Sequence, residues 1–161
     1  MPPSGSPVKE AILDDLQDTA LPLINNGTDP TGYYTTVEKI QRIDAGPTEI
    51  KMFPAIVIVP LSTAYDPEGT QGTLTLAAAY RIQLTLFLRT RTDAPSKIER
   101  FIRDTHKAVL VDRTRNANAI NTRAVSDEVF YPTEDDEPYV TANIIIEVDY
   151  RTEWDDLNTP T

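Results

Sequence analysis

Apolar and polar residues alternate most strictly between Thr73 and Thr90. Every even position is apolar, and the odd positions include threonine, arginine and glutamine; the even set is Leu74, Leu76, Ala78, Tyr80, Ile82, Leu84, Leu86 and Leu88. A period of two residues predicts a strand with one buried face and one polar face. This strand is much longer than the usual five or six residues, so we expect it to bend or to project as the arm of a hairpin.

Four further segments are predicted to be strands. Tyr33–Ile43 is rich in tyrosine, threonine, valine and isoleucine, and Ala55–Val59 is a short apolar run with prolines at both ends. Residues Ile120–Tyr131 predict one strand or two short ones. Alternation returns from Val140 to about Thr152 and predicts the last strand.

Apolar residues spaced three or four apart predict two helices. The first runs from about Pro7 to Ile24, with Ser6 as its cap and Pro7 at its first position. Its apolar stripe is Val8, Ile12, Leu16, Ala20 and Leu23, and Asp14, Asp15 and Asp18 are the polar positions between them. The second helix begins at a capping box formed by Ser96 and Glu99 and continues to about Val111.

The order of elements is therefore α-β-β-β-α-β-β. It predicts an α+β fold with a mixed or antiparallel sheet of about five strands, two helices packed on one face, and a long hairpin between the second and third strands. We expect one domain over residues 7–154. Residues 1–6 are expected to be a flexible N-terminus, and residues 155–161 an acidic flexible C-terminus.

Composition excludes some chemistry and reveals a charge asymmetry. The 161 residues contain no cysteine, which excludes disulfides, thiolate metal sites and thiol catalysis. The formal net charge of −10 comes from residues 126–161, which hold 11 acids and one base, Arg151. Residues 81–123 instead hold ten bases and four acids. Surfaces of opposite sign are suited to contacts between stacked copies or with different partners, whereas the overall charge disfavours tight binding to the outside of duplex DNA.

No motif predicts an active site. The single histidine, His106, lies on the polar side of the second helix and is expected at the surface. Residues 112–118 lack the glycine and glutamate of a calcium loop and are expected to form a turn, and the sequence has no nucleophile elbow or dinucleotide fingerprint. We expect no enzyme activity, no cofactor and no bound metal. Neither a signal peptide nor a membrane-spanning segment is predicted.

Several segments together resemble a known family. A strand begins Tyr33-Tyr34-Thr35-Thr36, a short apolar strand covers Phe53–Val59, and the long strand ends Leu84-Thr85-Leu86-Phe87-Leu88-Arg89. The second helix follows, and the last strand ends Glu147-Val148-Asp149-Tyr150-Arg151-Thr152. From about Val8 to Asp156, this arrangement resembles the tail terminator, or tail completion, proteins of long-tailed bacteriophages, including the lambda-type family.

The resemblance implies a ring, usually a homohexamer, that caps the finished tail tube, stops its polymerisation and joins the tail to the head. Its implied partners are further copies of the chain, the tail tube protein and the head–tail connector or neck protein. Genomic DNA would pass through the lumen without sequence-specific binding, and no membrane is involved. The implied location is the virion tail or neck, and the host cytoplasm during assembly.

Other functions remain open on the sequence alone. A neighbouring neck, connector or minor tail protein would have similar size and acidity. A non-viral adaptor that works as a monomer or dimer is a further alternative, and a small hydrolase is a more distant one.

The hairpin tip, Ser62–Gly72, contains little apolar material, so we expect it to serve contact, with Tyr65 as an anchor. The candidate interface residues are Tyr65, Asp66 and Glu68 at this tip, Arg89 and Arg91 after the long strand, and the acidic run of Glu134, Asp135, Asp136 and Glu137.

Overall fold

The computed structural model describes residues 7–27, 32–42, 50–66, 75–131 and 139–153. Its two helices are α1 (Val8–Asp15) and α2 (Ala94–Val111). Its five strands are β1 (Lys39–Arg42), β2 (Ala55–Asp66), β3 (Thr75–Arg89), β4 (Asn121–Phe130) and β5 (Tyr139–Glu153), in the order β1-β2-β3-β5-β4 across a mixed sheet. The predicted α+β class, the order of elements and the long β2–β3 hairpin are confirmed.

The centre of the sheet is an extended antiparallel pair. β3 and β5 pair along their whole length, from Thr75 opposite Glu153 to Arg89 opposite Tyr139. β2 and β4 pair antiparallel with β3 and β5 respectively, and β1 pairs parallel with β2. The register shifts at Leu61 in β2 and at Val125 in β4, so each of these strands carries a bulge that lets it bend.

The even-numbered side chains of β3 and β5 form the buried face, as the alternation predicts. Ile82, Leu84 and Leu86 of β3 are inaccessible to solvent, as are Val140, Ala142 and Ile144 of β5. Side chains from α1 and α2 belong to the same apolar cluster, so both helices lie on this side, which we call the core face. The odd-numbered side chains point to the opposite side, the open face.

The first helix departs from the prediction in its second half. It ends at Asp15 and gives way to a π-helical turn, Leu16–Ala20, and then to a 3₁₀ turn, Leu21–Leu23. Pro22 has no N–H to donate to the preceding turn, so an α-helix does not continue through it. The wider turn also changes which residues face inward: Leu21 and Ile24 are buried, whereas Leu23 is 42% exposed, so its assignment to the apolar stripe is wrong.

Both helices also start differently from the prediction. The N-cap of α1 is Pro7 itself, and the predicted cap, Ser6, lies outside the described residues. α2 begins at Ala94 with a proline in its first turn and has no side-chain cap. Ser96 therefore lies inside the helix, and the predicted capping box with Glu99 is wrong. Proline starts the helix earlier because its fixed φ is helical and it needs no N–H partner.

Two strands differ in length from their predictions. The strand predicted over Tyr33–Ile43 is reduced to β1, because the backbone N–H groups of Tyr34 and Thr35 donate at 2.8 Å to the Asp104 carboxylate of α2 instead of to a neighbouring strand. β2 continues past the predicted end at Val59, so residues 62–66 are strand and not part of a loop. The bounds of β3, β4 and β5 lie within one or two residues of the prediction.

Candidate functional site

The candidate contact residues that the structure describes lie at opposite ends of the sheet. Tyr65 and Asp66 end β2 and pair with Ala78 and Ala77 of β3, whereas Arg89 ends β3 and pairs with Tyr139. At about 3.3 Å per residue, the stretch of β3 between them spans roughly 40 Å. We call the first region the hairpin end and the second the arginine end. They are two separate surfaces.

The hairpin end carries a group of tyrosines. Tyr65 is 46% exposed and hydrogen-bonds to Tyr150 of β5, which is buried. Burial raises the pKa of the Tyr150 phenol well above its ordinary value, and the neighbouring Tyr65 and Tyr80 raise it further. On the core face, the Nζ of Lys9 lies 5.2 Å from the centre of the Tyr80 ring. One side of Tyr65 is thus fixed against the protein while the other remains open for contact.

A shallow depression of about 290 Å³ lies beside these tyrosines. Alanines from β2 and β3 contribute to its lining, together with the charged side chains of Asp66, Asp149 and Arg151 and the exposed Ile120. Because alanine side chains are short, the backbone of this part of the sheet is open to close approach. The depression is large enough to receive one large side chain from a partner.

The arginine end combines cations with aromatic rings. The guanidinium carbon of Arg89 lies 5.9 Å from the centre of the Tyr139 ring, and the Phe53 ring lies 5.1 Å from Tyr139 on centres. Arg91 follows in an exposed bend before α2. The contact with the Tyr139 ring restrains the Arg89 side chain, which is exposed and can meet an acidic partner.

Five of the candidate contact residues lie outside the described residues. They are Glu68 of the hairpin tip and Glu134, Asp135, Asp136 and Glu137 of the acidic run. Their assignment to an interface stays a prediction.

A charged ladder crosses the open face and was missed by the sequence analysis. Glu147 of β5 lies directly between Arg81 of β3 and Arg123 of β4 in the register, and it accepts hydrogen bonds from both. Burial of Glu147 raises its pKa, but these hydrogen bonds and the two positive charges outweigh burial, so the pKa lies below its ordinary value. Arg123 also lies 3.5 Å from Asp149. The sequence shows charged residues at odd positions of β3 and β5, which are the positions of the polar face. Only the register of the folded sheet shows that these charges lie next to each other.

A second ion pair, also not predicted, is buried between the end of α1 and the turn that follows α2. The guanidinium of Arg115 is inaccessible to solvent, lies 3.2 Å from the Asp15 carboxylate of α1, and donates to the Val109 carbonyl. Burial raises the pKa of Asp15, and the positive charge of Arg115 opposes that rise. Asp15, a polar position between the apolar residues of the first helix, is therefore buried. The pair ties the turn after α2 to α1.

The turn predicted over residues 112–118 is confirmed, and its backbone is unusual. Three successive residues have left-handed backbone angles, which residues other than glycine rarely adopt. The φ angles are 48° at Arg115, 57° at Asn116 and 65° at Ala117. The Asp112 carboxylate holds the turn by accepting from Thr114 and from the backbone N–H of Asn116, and these bonds lower its pKa. The strained conformation aims Arg115 inward at Asp15.

His106 is less exposed than predicted. Its Nε2 lies 3.6 Å from the Asp127 carboxylate of β4, and its side chain is 24% exposed. Within the described residues no group of three or more histidine, cysteine, aspartate or glutamate residues is placed to hold a metal ion. None of the described helices is long and apolar enough to cross a membrane.

Compared with protein-family models and with curated proteins, the sequence has no significant match.

Proposed function

We propose that the chain is a structural protein of a bacteriophage tail, of the tail terminator kind. In this role it forms a ring that caps the finished tail tube, stops its polymerisation and joins the tail to the head connector. The observation that carries the proposal is the placement of two chemically different contact regions at opposite ends of one continuous sheet, roughly 40 Å apart. A subunit built this way can meet a different ring at each end.

Each end suits a different kind of contact. The hairpin end offers the half-exposed Tyr65 and, beside it, a depression lined by alanines and by charged side chains, which favours insertion of a large side chain from a partner. The arginine end offers Arg89 and Arg91, which favours an acidic partner. We assign the hairpin end to the tail tube and the arginine end to the connector.

The open face suits passage of DNA. Its central side chains are uncharged and mix polar and apolar groups; they include Gln83, Thr85 and Phe87 of β3 and Thr141, Asn143 and Ile145 of β5. The charges beside them, in the ladder around Glu147, are paired with each other. A surface without clustered free cations neutralises few phosphates, so DNA would pass over it without adsorbing.

The test is tail assembly. Purified chain is added to tail tube protein while it polymerises, and tube lengths are measured by negative-stain electron microscopy. A tail terminator stops growth and makes the tubes competent to join filled heads. Tubes that grow to the same length with and without the chain contradict the proposal. Unchanged tube growth together with binding to isolated connectors identifies a neck protein instead, and a monomer or dimer that binds neither identifies an adaptor.

A further inference from the structure

The outward face of α2 carries a row of cations. Lys97, Arg100, Arg103 and Lys107 follow each other at intervals of three or four residues, which places them along one side of the helix. This side faces away from the buried apolar residues Ile98 and Phe101, and the buried carboxylate of Asp104 lies beside it, 3.6 Å from Nη1 of Arg103. We call these four residues the basic stripe. At 1.5 Å per residue it is about 15 Å long.

Tyrosine rings hold the basic stripe in place. The guanidinium carbons of Arg100 and Arg103 lie 5.3 and 5.0 Å from the centre of the same ring, that of Tyr34, and the Nζ of Lys107 lies 4.6 Å from the centre of the Tyr33 ring. Tyr34 is 55% exposed, so the assembly remains accessible. Side chains already fixed lose less conformational entropy on binding, so the stripe is prepared for a partner.

The neighbouring helical segment carries the opposite charge. Glu10, Asp14 and Asp18 follow each other at intervals of four along α1 and the π-helical turn. Glu10 and Asp18 are exposed, whereas Asp14 is already ion-paired with Arg42 of β1. We call these three residues the acidic stripe; at 1.5 Å per residue it is about 12 Å long. Asp14 and Asp18 also line a cleft of about 270 Å³ together with Asn116 and Asn118. The cleft has the size and polarity to receive a long basic side chain.

We propose that the acidic stripe of one copy binds the basic stripe of the next copy, head to tail. The inference rests on the proposed ring and identifies its subunit contact. The two stripes match in length and are opposite in charge, and they lie on different helices, so each copy offers both halves of the contact. A contact between two different surfaces of the same subunit is heterologous, and such a contact closes into a ring when its rotation allows.

Charge reversal tests the contact with two paired variants. The variant Glu10→Lys/Asp18→Lys makes the acidic stripe basic, so both of its stripes are basic. The variant Arg100→Glu/Arg103→Glu places two acids at the centre of the basic stripe and brings the net charge of the stripe from +4 to zero, so it no longer attracts the acidic stripe. Relative to the wild-type charge of −10, the first variant carries −6 and the second −14. Both remain negative, so general attraction does not draw them together.

Self-association is measured by sedimentation velocity and light scattering over a range of concentration and salt. We expect each variant alone to associate at least tenfold more weakly than the wild type. An equimolar mixture regains association, because the intact basic stripe of the first variant then meets the intact acidic stripe of the second, and the new lysines of the first meet the new glutamates of the second. The control Lys51→Glu/Arg113→Glu also carries −14 but reverses exposed charges that belong to neither stripe, and it should associate like the wild type. Thermal melts establish that every variant is folded.

Three outcomes overturn the stripe contact. The first is a set of variants that associate alone as strongly as the wild type; the tail assembly test then decides separately whether the ring itself stands. The second is a mixture that stays unassociated, including the case in which the wild type is also a monomer. The third is binding of short duplex DNA that Arg100→Glu/Arg103→Glu abolishes while association is unchanged, which would make α2 a nucleic-acid surface.

Discussion

The two faces of the sheet share the same strands but differ in what their side chains contact. On the core face, Leu84 lies between Ile58 and Ile144 and is inaccessible to solvent. On the open face, the next residue, Thr85, lies between Val57 and Asn143 and is partly exposed. Burial on one face supplies most of the free energy of folding, which leaves the other face free to carry polar and charged groups for contact. Substitutions on the core side should therefore alter stability most, and those at exposed positions of the open face and at the ends should mainly alter assembly.

The largest effect on stability is expected at the buried ion pair on the core side. Arg115→Met leaves the Asp15 carboxylate buried without its cation, which should cost about 3–5 kcal/mol of unfolding free energy. Urea denaturation measures the loss. Arg113→Met, at the exposed residue two positions earlier, is the control and should change little. The double variant Asp15→Leu/Arg115→Met should recover most of the loss, and failure to recover would mean that the pair is not the source.

Leu84→Ala should be the next most costly change. Removing a fully buried leucine side chain costs about 2–5 kcal/mol because apolar contacts are lost and a cavity remains. Thr85→Ala, one residue along on the open face, should stay within about 0.5 kcal/mol. The two variants truncate neighbouring side chains on opposite faces of the same strand. Equal losses in urea denaturation would contradict the division between the faces.

The ladder on the open face should make stability depend on pH. The pKa of Glu147 is lower in the folded chain than its ordinary value. The ionised carboxylate therefore contributes its full share of the unfolding free energy above the pKa of the unfolded chain, and this share is lost as the pH falls through the pKa of the folded chain. Glu147→Gln should therefore lower the unfolding free energy at pH 7 by about 1–2 kcal/mol, a typical loss for a charged hydrogen bond partly open to solvent. The difference between wild type and variant should shrink as pH is lowered below about 4.5. A difference that is constant with pH would show that the ladder is not the cause.

Tyr65 should separate stability from assembly. Tyr65→Ser removes a half-exposed ring and its hydrogen bond to the buried Tyr150, so it should lower the unfolding free energy by only about 1–2 kcal/mol. Its capping of tail tubes should nevertheless fall, since the anchor of the hairpin end is removed. Tyr131→Ser is the control. It removes a tyrosine of similar exposure that directly follows the last residue of β4, Phe130. Equal capping by the two variants would remove the hairpin end from the tube contact.

The smallest effect is expected at His106. Its pair with Asp127 is partly open to water and 3.6 Å long, and such pairs contribute about 0–1 kcal/mol. His106→Ala should therefore leave both assembly and infectivity near normal. A large assembly defect in a folded variant would assign His106 a role that nothing else in the structure indicates.

The sequence predicted best those elements whose pattern follows from burial on one face. The alternation in β3 and β5 located both strands to within one or two residues, because every second side chain meets the same core. The extension of β2 to Asp66 was missed because its outer half has few apolar residues and depends on pairing with β3. The shortening of β1 was missed because Asp104, far along the chain, captures two backbone donors.

The candidate site was only partly predictable for the same reason. Tyr65, Arg89 and Arg91 were identified from their local surroundings, but their division between two ends depends on the register of β2 with β3. Arg115 and Asp15 are a hundred residues apart, and no local period marks either as buried. Contacts formed by distant residues require the folded chain.

The most direct measurement of the central claim is electron microscopy of tail tubes after incubation with the purified chain. We predict one additional ring of density at a single end of each tube, with the same cyclic symmetry as the tube, and no further growth at that end when tube protein is supplied. Tubes whose two ends are both unchanged and still able to grow, with the chain left unbound in solution, would contradict a tail terminator.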